Sequence, residues 1–268
     1  MYYYLYDSFL NDNKYQKQLH RIENRTVDLG INGKIGRVSM LISPEKLIQE
    51  EIKKGVTTIV AVGNDQTIDK IISIAAKEKI TVGIIPVGKD NKIAKILGIP
   101  EGALACDILS QRRVKKIDLI KVNDRYCLSN LVMKIEKSKI ICEDKYELEL
   151  INKNGEIYIY NLGDKNEIEK IFDLNQDIKN YFNPNDGMLD LVIKSTKKSL
   201  VHNILKFVKK NTPQKINDIS IVPIKKVRIE SKDSASAICD NSTIIKTPLN
   251  IEVVPQALNI IVGKQREF

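Results

Sequence analysis

Apolar positions in roughly the first 120 residues follow two alternating patterns. Short apolar, β-branched runs are typical of buried parallel strands, and runs whose apolar residues recur every three or four positions are typical of helices. The predicted strands are 2–6, 34–41, 57–62, 81–85 and 116–122, and the predicted helices are 14–29, 43–55, 68–75, 91–97 and 102–110. This alternation predicts a doubly wound α/β domain.

The second half of the chain has a different pattern. Two apolar runs, 146–151 and 156–162, flank Asn154-Gly155, a dipeptide typical of hairpin turns. Further short β runs lie at 189–193, 219–222, 225–231, 236–239, 251–254 and 258–262, with one helix at 199–210. The pattern predicts an antiparallel, sandwich-like β domain. We therefore expect a first domain at 1–122 and a second at 123–268, with the last strands able to pack back toward the first domain.

Composition places the chain among soluble globular proteins, with 43% hydrophobic and 29% charged residues. The net charge is +9, which suits nucleic acid, anionic lipid or phosphorylated small molecules, or reflects only a lysine-rich proteome. No nucleic-acid-binding motif is present, so no nucleic-acid partner is expected. No apolar run approaches the roughly 18–20 residues of a membrane span.

The cysteines and histidines show no metal-binding spacing. The four cysteines are scattered, without a CxxC pair, which predicts reduced and mostly buried thiols in a cytoplasmic protein. His20 and His202 are isolated and carry no zinc motif. The N-terminus has no basic segment followed by an apolar one, so we expect no signal peptide.

Two predicted loops lie at the carboxyl ends of neighbouring strands. Residues 63–67 and 86–91 each follow a strand and open a helix. A helix N-terminus suits a phosphate, and glycine lets the backbone approach it. Gly63 and Gly88 are therefore candidate phosphate contacts, with Asp65 as a carboxylate for a metal or for proton abstraction. Two ordinary βα turns would use the same residue types.

The order of four segments brings out a resemblance to a known family. TIVAVGNDQTIDKII (58–72) resembles the GGDGT motif of the diacylglycerol kinase-like catalytic domain family, which includes bacterial lipid kinases, sphingosine kinases and ceramide kinases, with NAD kinases as distant relatives. VGIIPVGKDNKIAKILGIP (82–100) is similar to the second loop of that family and is the most specific of the four. NPNDGMLDLVI (183–193) and the stretch 225–262 resemble its two C-terminal segments.

The resemblance implies a two-domain kinase with its active cleft between the domains, using ATP and Mg²⁺ to phosphorylate a diacylglycerol-like lipid hydroxyl. It implies catalytic roles for Asp65 and for Asp240, which would close the site from the second domain. Asp186 and Asp190 are candidate metal ligands by their own spacing, although the same residues suit a tight turn that enters a strand. The implied nucleotide contacts are Gly63, Asn64, Thr67, Gly88, Lys89 and Asn91.

Several positions depart from the family pattern. Gln66 and Asp90 replace glycines, and Ser242 replaces a glutamate. These departures motivate the alternative of a catalytically inactive protein that binds nucleotide or anionic lipid on the same fold, and NAD kinase activity is a second alternative. Lysines at 70, 89 and 92 add positive charge at the two loops, where they could cradle phosphates or replace the charge of a metal.

The acceptor and the cellular location are less constrained. Helix 199–210 has an apolar side and many lysines, so it suits either an anionic membrane surface or packing on the β domain. The segment 126–183 is shorter than the family needs for its lipid-acceptor helices. We expect a cytoplasmic protein, peripheral at the membrane when it meets a lipid, and a homodimer is compatible with the sequence.

Overall fold

The computed structural model describes residues 1–39, 43–136, 138–148, 154–172, 178, 181–195, 215–216, 219–231 and 234–268. The chain forms two compact units. The first consists of residues 1–117 and 256–268, and the second of residues 118–255. The predicted helix 199–210 lies outside the described residues. In the part of the chain that is described, no helix has the length and apolar character needed to cross a bilayer.

Parallel strands form the centre of the first unit. They lie in the order β2 (Lys34–Arg37), β1 (Tyr2–Tyr6), β3 (Thr58–Gly63), β4 (Thr81–Pro86), and the end of β17 (Leu249–Ile261) pairs parallel with β4 through Asn259 and Ile260. The helices are α1 (Gln16–Asp28), α2 (Pro44–Lys53), α3 (Asp65–Glu78), α4 (Lys92–Ile96) and α5 (Leu104–Gln111). Every residue of β3 is buried, as its β-branched composition predicts. The predicted doubly wound α/β class is confirmed.

The C-terminal residues complete the first unit. After β17, Gly263 N donates to Leu97 O at 2.8 Å, and Glu267 N donates to Ile96 O at 2.9 Å. A Cβ added to Gly263 would lie 1.8 Å from Gly98 O, so the two backbones are in direct contact. The short connection after α4 is therefore held by residues near the end of the chain.

The second unit is antiparallel, as predicted. One sheet has the order β12 (Lys215–Ile216), β13 (Ile219–Ile224), β11 (Leu189–Ser195), β10 (Asn154–Tyr160), β7 (Asn130–Glu136), β15 (Ser236–Cys239), β16 (Thr243–Lys246). A second set contains β9 (Tyr146–Leu148), β8 (Ser138–Cys142), β14 (Lys226–Ser231) and the start of β17. The remaining elements are β5 (Val114–Val122), β6 (Arg125–Cys127) and α6 (Lys165–Phe172). Side chains from both sheets form one apolar core.

The hairpin predicted at Asn154-Gly155 is wrong. Strand β9 pairs with β8, whereas β10 pairs with β7 and β11. The turn that joins β8 to β9 contains Glu143 and Asp144, both with φ of 53°. Two successive positive φ values give the twist that a tight hairpin needs, and these acidic residues supply it in place of Asn-Gly.

The prediction of four reduced thiols is also wrong. Cys127 and Cys239 form a disulfide that joins β6 to β15, with Cα atoms 6.0 Å apart. Cys106 and Cys142 are free and buried, and burial raises the pKa of Cys106 to about 11 and that of Cys142 to about 12. The two bonded cysteines are 112 positions apart, so their spacing gave no sign of the pairing.

Candidate functional site

The two candidate loops of the first unit lie side by side. Gly63, at the end of β3, is in register with Pro86, at the end of β4. Val87 N donates to Gly63 O at 2.9 Å, and Asp65 N donates to Asp90 O at 3.0 Å. The carboxyl ends of neighbouring parallel strands thus bring both glycine loops to one edge of the sheet, where α/β proteins bind ligands.

Asp65 connects the first loop to helix α4. Its two carboxylate oxygens accept hydrogen bonds from Lys92 N at 2.9 Å and Ile93 N at 3.2 Å. These are N–H groups at the start of α4, so Asp65 caps that helix from a distant part of the chain. Burial raises the pKa of Asp65 to about 6, although the two N–H groups partly oppose the rise. A fixed carboxylate with this pKa can accept a proton near neutral pH.

Asp7 is a site residue that sequence reasoning missed. It follows β1 and is 4% exposed. Its Oδ2 accepts hydrogen bonds from Thr67 Oγ1 at 2.8 Å and from Lys70 Nζ at 2.7 Å. Burial tends to raise the pKa of Asp7, but the hydrogen bonds from Lys70 and Thr67 and the charge of Lys70 bring it below its ordinary value. One feature could have identified Asp7 as a site residue: it is an acidic residue at the carboxyl end of a buried strand beside β3.

The first loop is closely packed around Thr67. This side chain is fully buried, and its hydroxyl also accepts a hydrogen bond from Asn64 N at 3.1 Å. Because the hydroxyl is already bonded to Asp7 and Asn64, it holds the loop in shape. Contacts of Gly63, Asn64 and Thr67 with nucleotide stay a prediction, and they would involve the loop backbone.

The second loop is closed by Asn91, whose Nδ2 donates to Gly88 O at 3.0 Å. Gly88 has a φ of 90°, and a Cβ added there would lie 3.1 Å from the ring of Phe9. Phe9 and Tyr15 stack edge to face in the two short 3-10 turns after β1. Lys89 is exposed. This aromatic pair beside the loop was not predicted.

A cavity of about 960 Å³ in the first unit opens beside the second loop. It is lined by Asp90, Asn91 and Lys92 of the loop, by the segment after α4, and by residues near the C-terminus including Lys264 and Glu267. Its volume is in the range of small-molecule sites. A ligand in this cavity would lie next to the helix that Asp65 caps.

Asp240 lies in the second unit and organises a turn there. Its carboxylate accepts hydrogen bonds from Leu128 N at 2.6 Å, Ser129 N at 2.8 Å and Asn130 N at 3.0 Å. It is 5% exposed and follows the bonded Cys239. The disulfide and the carboxylate therefore fix the same turn after β6. A catalytic role for Asp240 stays a prediction.

Asp186 and Asp190 also lie in the second unit. Asp186 Oδ1 accepts a hydrogen bond from Met188 N at 2.9 Å, and Asp190 Oδ2 accepts one from Phe182 N at 2.6 Å. Among the described residues, the one group of three His, Cys, Asp or Glu ligand atoms within 4.8 Å of one another contains Cys127, Cys239 and Asp240. Metal binding by Asp186 and Asp190 stays a prediction.

Asp190 is expected to make stability depend on pH. Burial, and then the charge of Asp186, raise its pKa to about 7. The folded carboxyl thus binds a proton more tightly than the unfolded one, so its contribution is full below about pH 4 and is lost as the pH rises to about 7. Asp190→Asn keeps an acceptor oxygen for Phe182 N and removes this titration. The free energy of unfolding is measured in urea, with EDTA present. The value for Asp190→Asn minus the value for wild type should increase by about 2 kcal/mol from pH 5 to pH 8. A difference that stays constant with pH would contradict the assignment.

Family comparisons agree with the resemblance seen in the sequence. The model of the diacylglycerol kinase catalytic domain matches residues 5–122. The model of the YegS C-terminal NAD kinase beta sandwich-like domain matches residues 178–262. The two matches follow each other along the chain, one on the α/β part and one on the antiparallel part.

Curated relatives match over different lengths. A probable lipid kinase YegS-like of Enterobacter sp. (strain 638) is 34% identical over 91 residues, which is 32% of this chain and 30% of that protein. A second relative comes from Staphylococcus carnosus (strain TM300) and is named as a lipid kinase by inference. It is 24% identical over 234 residues, with 74% of each chain covered. The chain thus spans less than a third of the Enterobacter relative and about three quarters of the Staphylococcus relative.

Solved structures share the fold along almost the whole chain. A diacylglycerol kinase of Bacillus anthracis str. Sterne superposes with a TM-score of 0.73 at 19% identity, covering 98% of this chain and 97% of that one. At this identity the likeness concerns the fold. With both family models matched in order, the chain belongs to the diacylglycerol kinase-like lipid kinase family.

Proposed function

We propose that this protein transfers the terminal phosphoryl group of ATP to a hydroxyl of a diacylglycerol-like lipid. The observation that carries the proposal is Asp65, held by two backbone N–H groups where the two glycine loops meet, with a pKa of about 6. Its position between loops suited to phosphates makes it the natural base for an acceptor hydroxyl. The family match supports the same chemistry.

The proposed reaction follows from the loops. Backbone near Gly63 and Gly88 can approach the phosphates, and lysines at the loops add positive charge. The acceptor hydroxyl gives its proton to Asp65 while its oxygen attacks the terminal phosphorus. The bond from that phosphorus to the bridging oxygen breaks, and ADP leaves with the bonding electrons.

A divalent metal is the remaining cofactor that the family implies. Magnesium takes oxygen ligands, commonly one or two carboxylates together with nucleotide phosphates. Both oxygens of Asp65 already accept N–H groups, and Asp7 is paired with Lys70. Over the described ranges, no group of three candidate ligand atoms within 4.8 Å lies at either loop. The loops therefore do not form a metal cage of their own, and no step of the proposed reaction is assigned to a metal.

A second candidate function is a nucleotide-binding or anionic lipid-binding protein without transfer activity. Asp240 favours it, because its carboxylate is bonded to three backbone N–H groups within the second unit. Lys92 and Ser242 also stand where the family pattern has acidic residues.

One assay separates the two functions. The purified protein is mixed with labelled ATP, Mg²⁺ and vesicles that contain diacylglycerol, and labelled phosphate in the lipid fraction is measured beside the thermal shift caused by ATP. The kinase proposal expects both transfer and a stabilising shift, whereas the binder expects the shift alone. The absence of both transfer and thermal shift would reject any use of nucleotide by this protein.

The proposal also includes a location. The protein would be cytoplasmic and would meet its lipid at the membrane surface, as a monomer or homodimer.

A further inference from the structure

Lys70 is a cation fixed beside the first loop. Its Nζ lies 2.7 Å from Asp7 Oδ2, the same oxygen that accepts the hydrogen bond of Thr67. The predicted helix 68–75 would place Lys70 in its first turn, but α3 begins at Asp65, so Lys70 is in the second turn, one turn beyond Thr67. The Lys70 side chain is 35% exposed, whereas that of Asp7 is 5% exposed. The ammonium group is therefore anchored to Asp7, and about a third of the Lys70 side chain is exposed.

The anchored ammonium group keeps donors for an anion. A lysine ammonium has three N–H donors. Among the described residues, Asp7 is the acceptor that the structure gives to Lys70. The remaining donors can bind a phosphate oxygen, and a charge-assisted hydrogen bond of this kind is stronger than a neutral one. Because the pKa of Asp7 is lowered, this anchor stays ionised at neutral pH.

Lysine ammonium groups at both loops can donate hydrogen bonds to phosphate oxygens. Lys70 lies at the first loop, and exposed Lys89 and Lys92 lie at the second. The carboxylates there are those of Asp7, which anchors Lys70, of Asp65, which caps α4, and of exposed Asp90. Because Asp65 is engaged by the N–H groups of α4 and Asp7 by Lys70, this arrangement assigns the contact with phosphate charge to lysine.

We infer that Lys70, positioned by Asp7, supplies the fixed positive charge for nucleotide phosphates, so that ATP binds at the loops without a divalent cation. The inference rests on the proposed nucleotide use of this site. The inference concerns the binding of ATP. Whether phosphoryl transfer requires a divalent cation is a separate measurement.

Calorimetric titration with ATP tests the inference. Wild type is expected to bind ATP in EDTA with a Kd within about threefold of its value in Mg²⁺. Lys70→Met should weaken binding in EDTA by about tenfold, as expected for a lost charge-assisted contact. Lys77→Met is the matched control, because Lys77 is exposed in the last turn of the same helix. It should change the Kd by less than about twofold.

Asp7→Asn tests the positioning role. Asparagine keeps the size of the side chain and an acceptor for Thr67, and thermal unfolding reports whether the variant folds. The variant is expected to weaken ATP binding in EDTA several-fold, and adding Asp7→Asn to Lys70→Met should weaken it no further. A merely structural Asp7 would act equally with and without Lys70, and that result would overturn the positioning role.

The remaining outcomes separate a failure of this inference from a failure of the proposed function. Wild-type binding that is lost only in EDTA, or equal Kd values for Lys70→Met and Lys77→Met, would overturn the inference and leave the proposed kinase standing. Absence of ATP binding in both buffers would overturn the proposed function and this inference with it.

Discussion

Asp65→Ala is expected to lower phosphoryl transfer by at least about 100-fold, the usual loss when a general base is removed. The same change removes both acceptors from the start of α4 and should cost about 1–2 kcal/mol of stability, as for other lost helix caps. Initial rates of transfer to vesicle diacylglycerol, measured well below the unfolding temperature, separate the two effects.

The pH dependence of the wild-type rate gives an independent check on Asp65. A base must be ionised to act, and the pKa of Asp65 is about 6. The value of kcat/KM should therefore be level above about pH 7 and fall about tenfold per pH unit well below pH 6. Asp12→Ala, which removes an exposed carboxyl of the same unit, is the control and should leave the rate unchanged. Asp65→Ala with nearly full activity would show that Asp65 serves only as a cap.

Gly63→Ala is expected to destabilise the first unit by about 3 kcal/mol, in the range of overpacked buried sites. A Cβ at this position would lie 2.1 Å from Thr67 Oγ1 and 3.2 Å from Asp7 Cβ, and the φ of 156° adds strain. Thr67 is fully buried and bonded to Asp7, so it cannot move aside without breaking the loop. Urea unfolding measures the change in free energy.

Gly55→Ala is the matched control for this clash. Gly55 also has a positive φ, of 89°, but an added Cβ would meet no atom within 4 Å. Its cost should stay near 1 kcal/mol, because only the backbone conformation is penalised. Equal costs for the two variants would show that the contact with Thr67 is not what excludes a side chain at Gly63.

Local patterns predicted the first unit well. Residues 58–62 of the predicted strand 57–62, and the apolar residues that follow at helical spacing, are buried in β3 and α3. Such patterns involve residues that are close together along the chain, so they can be recognised from the sequence alone. The turn at Glu143 and Asp144 was missed because its residues are not the usual Asn-Gly, and tertiary pairing decided the register.

The candidate site was predicted only in part, because its contacts are long-range. The glycines and Asp65 could be located from the loops that follow β3 and β4. Asp7 meets Thr67 and Lys70 from 60 and 63 positions away, and no local spacing announces that contact. The role of Asp65 at α4 likewise depends on residues 27 and 28 positions further along the chain.

The return of residues 256–268 to the first unit limits how the gene can be divided. A fragment that stops after β5 would lack the end of β17, which pairs with β4. The backbone of Leu97 and Ile96 would also lose the partners supplied by Gly263 and Glu267. The α/β half is thus discontinuous in the reading frame, so it cannot be exchanged with a relative by a single crossover.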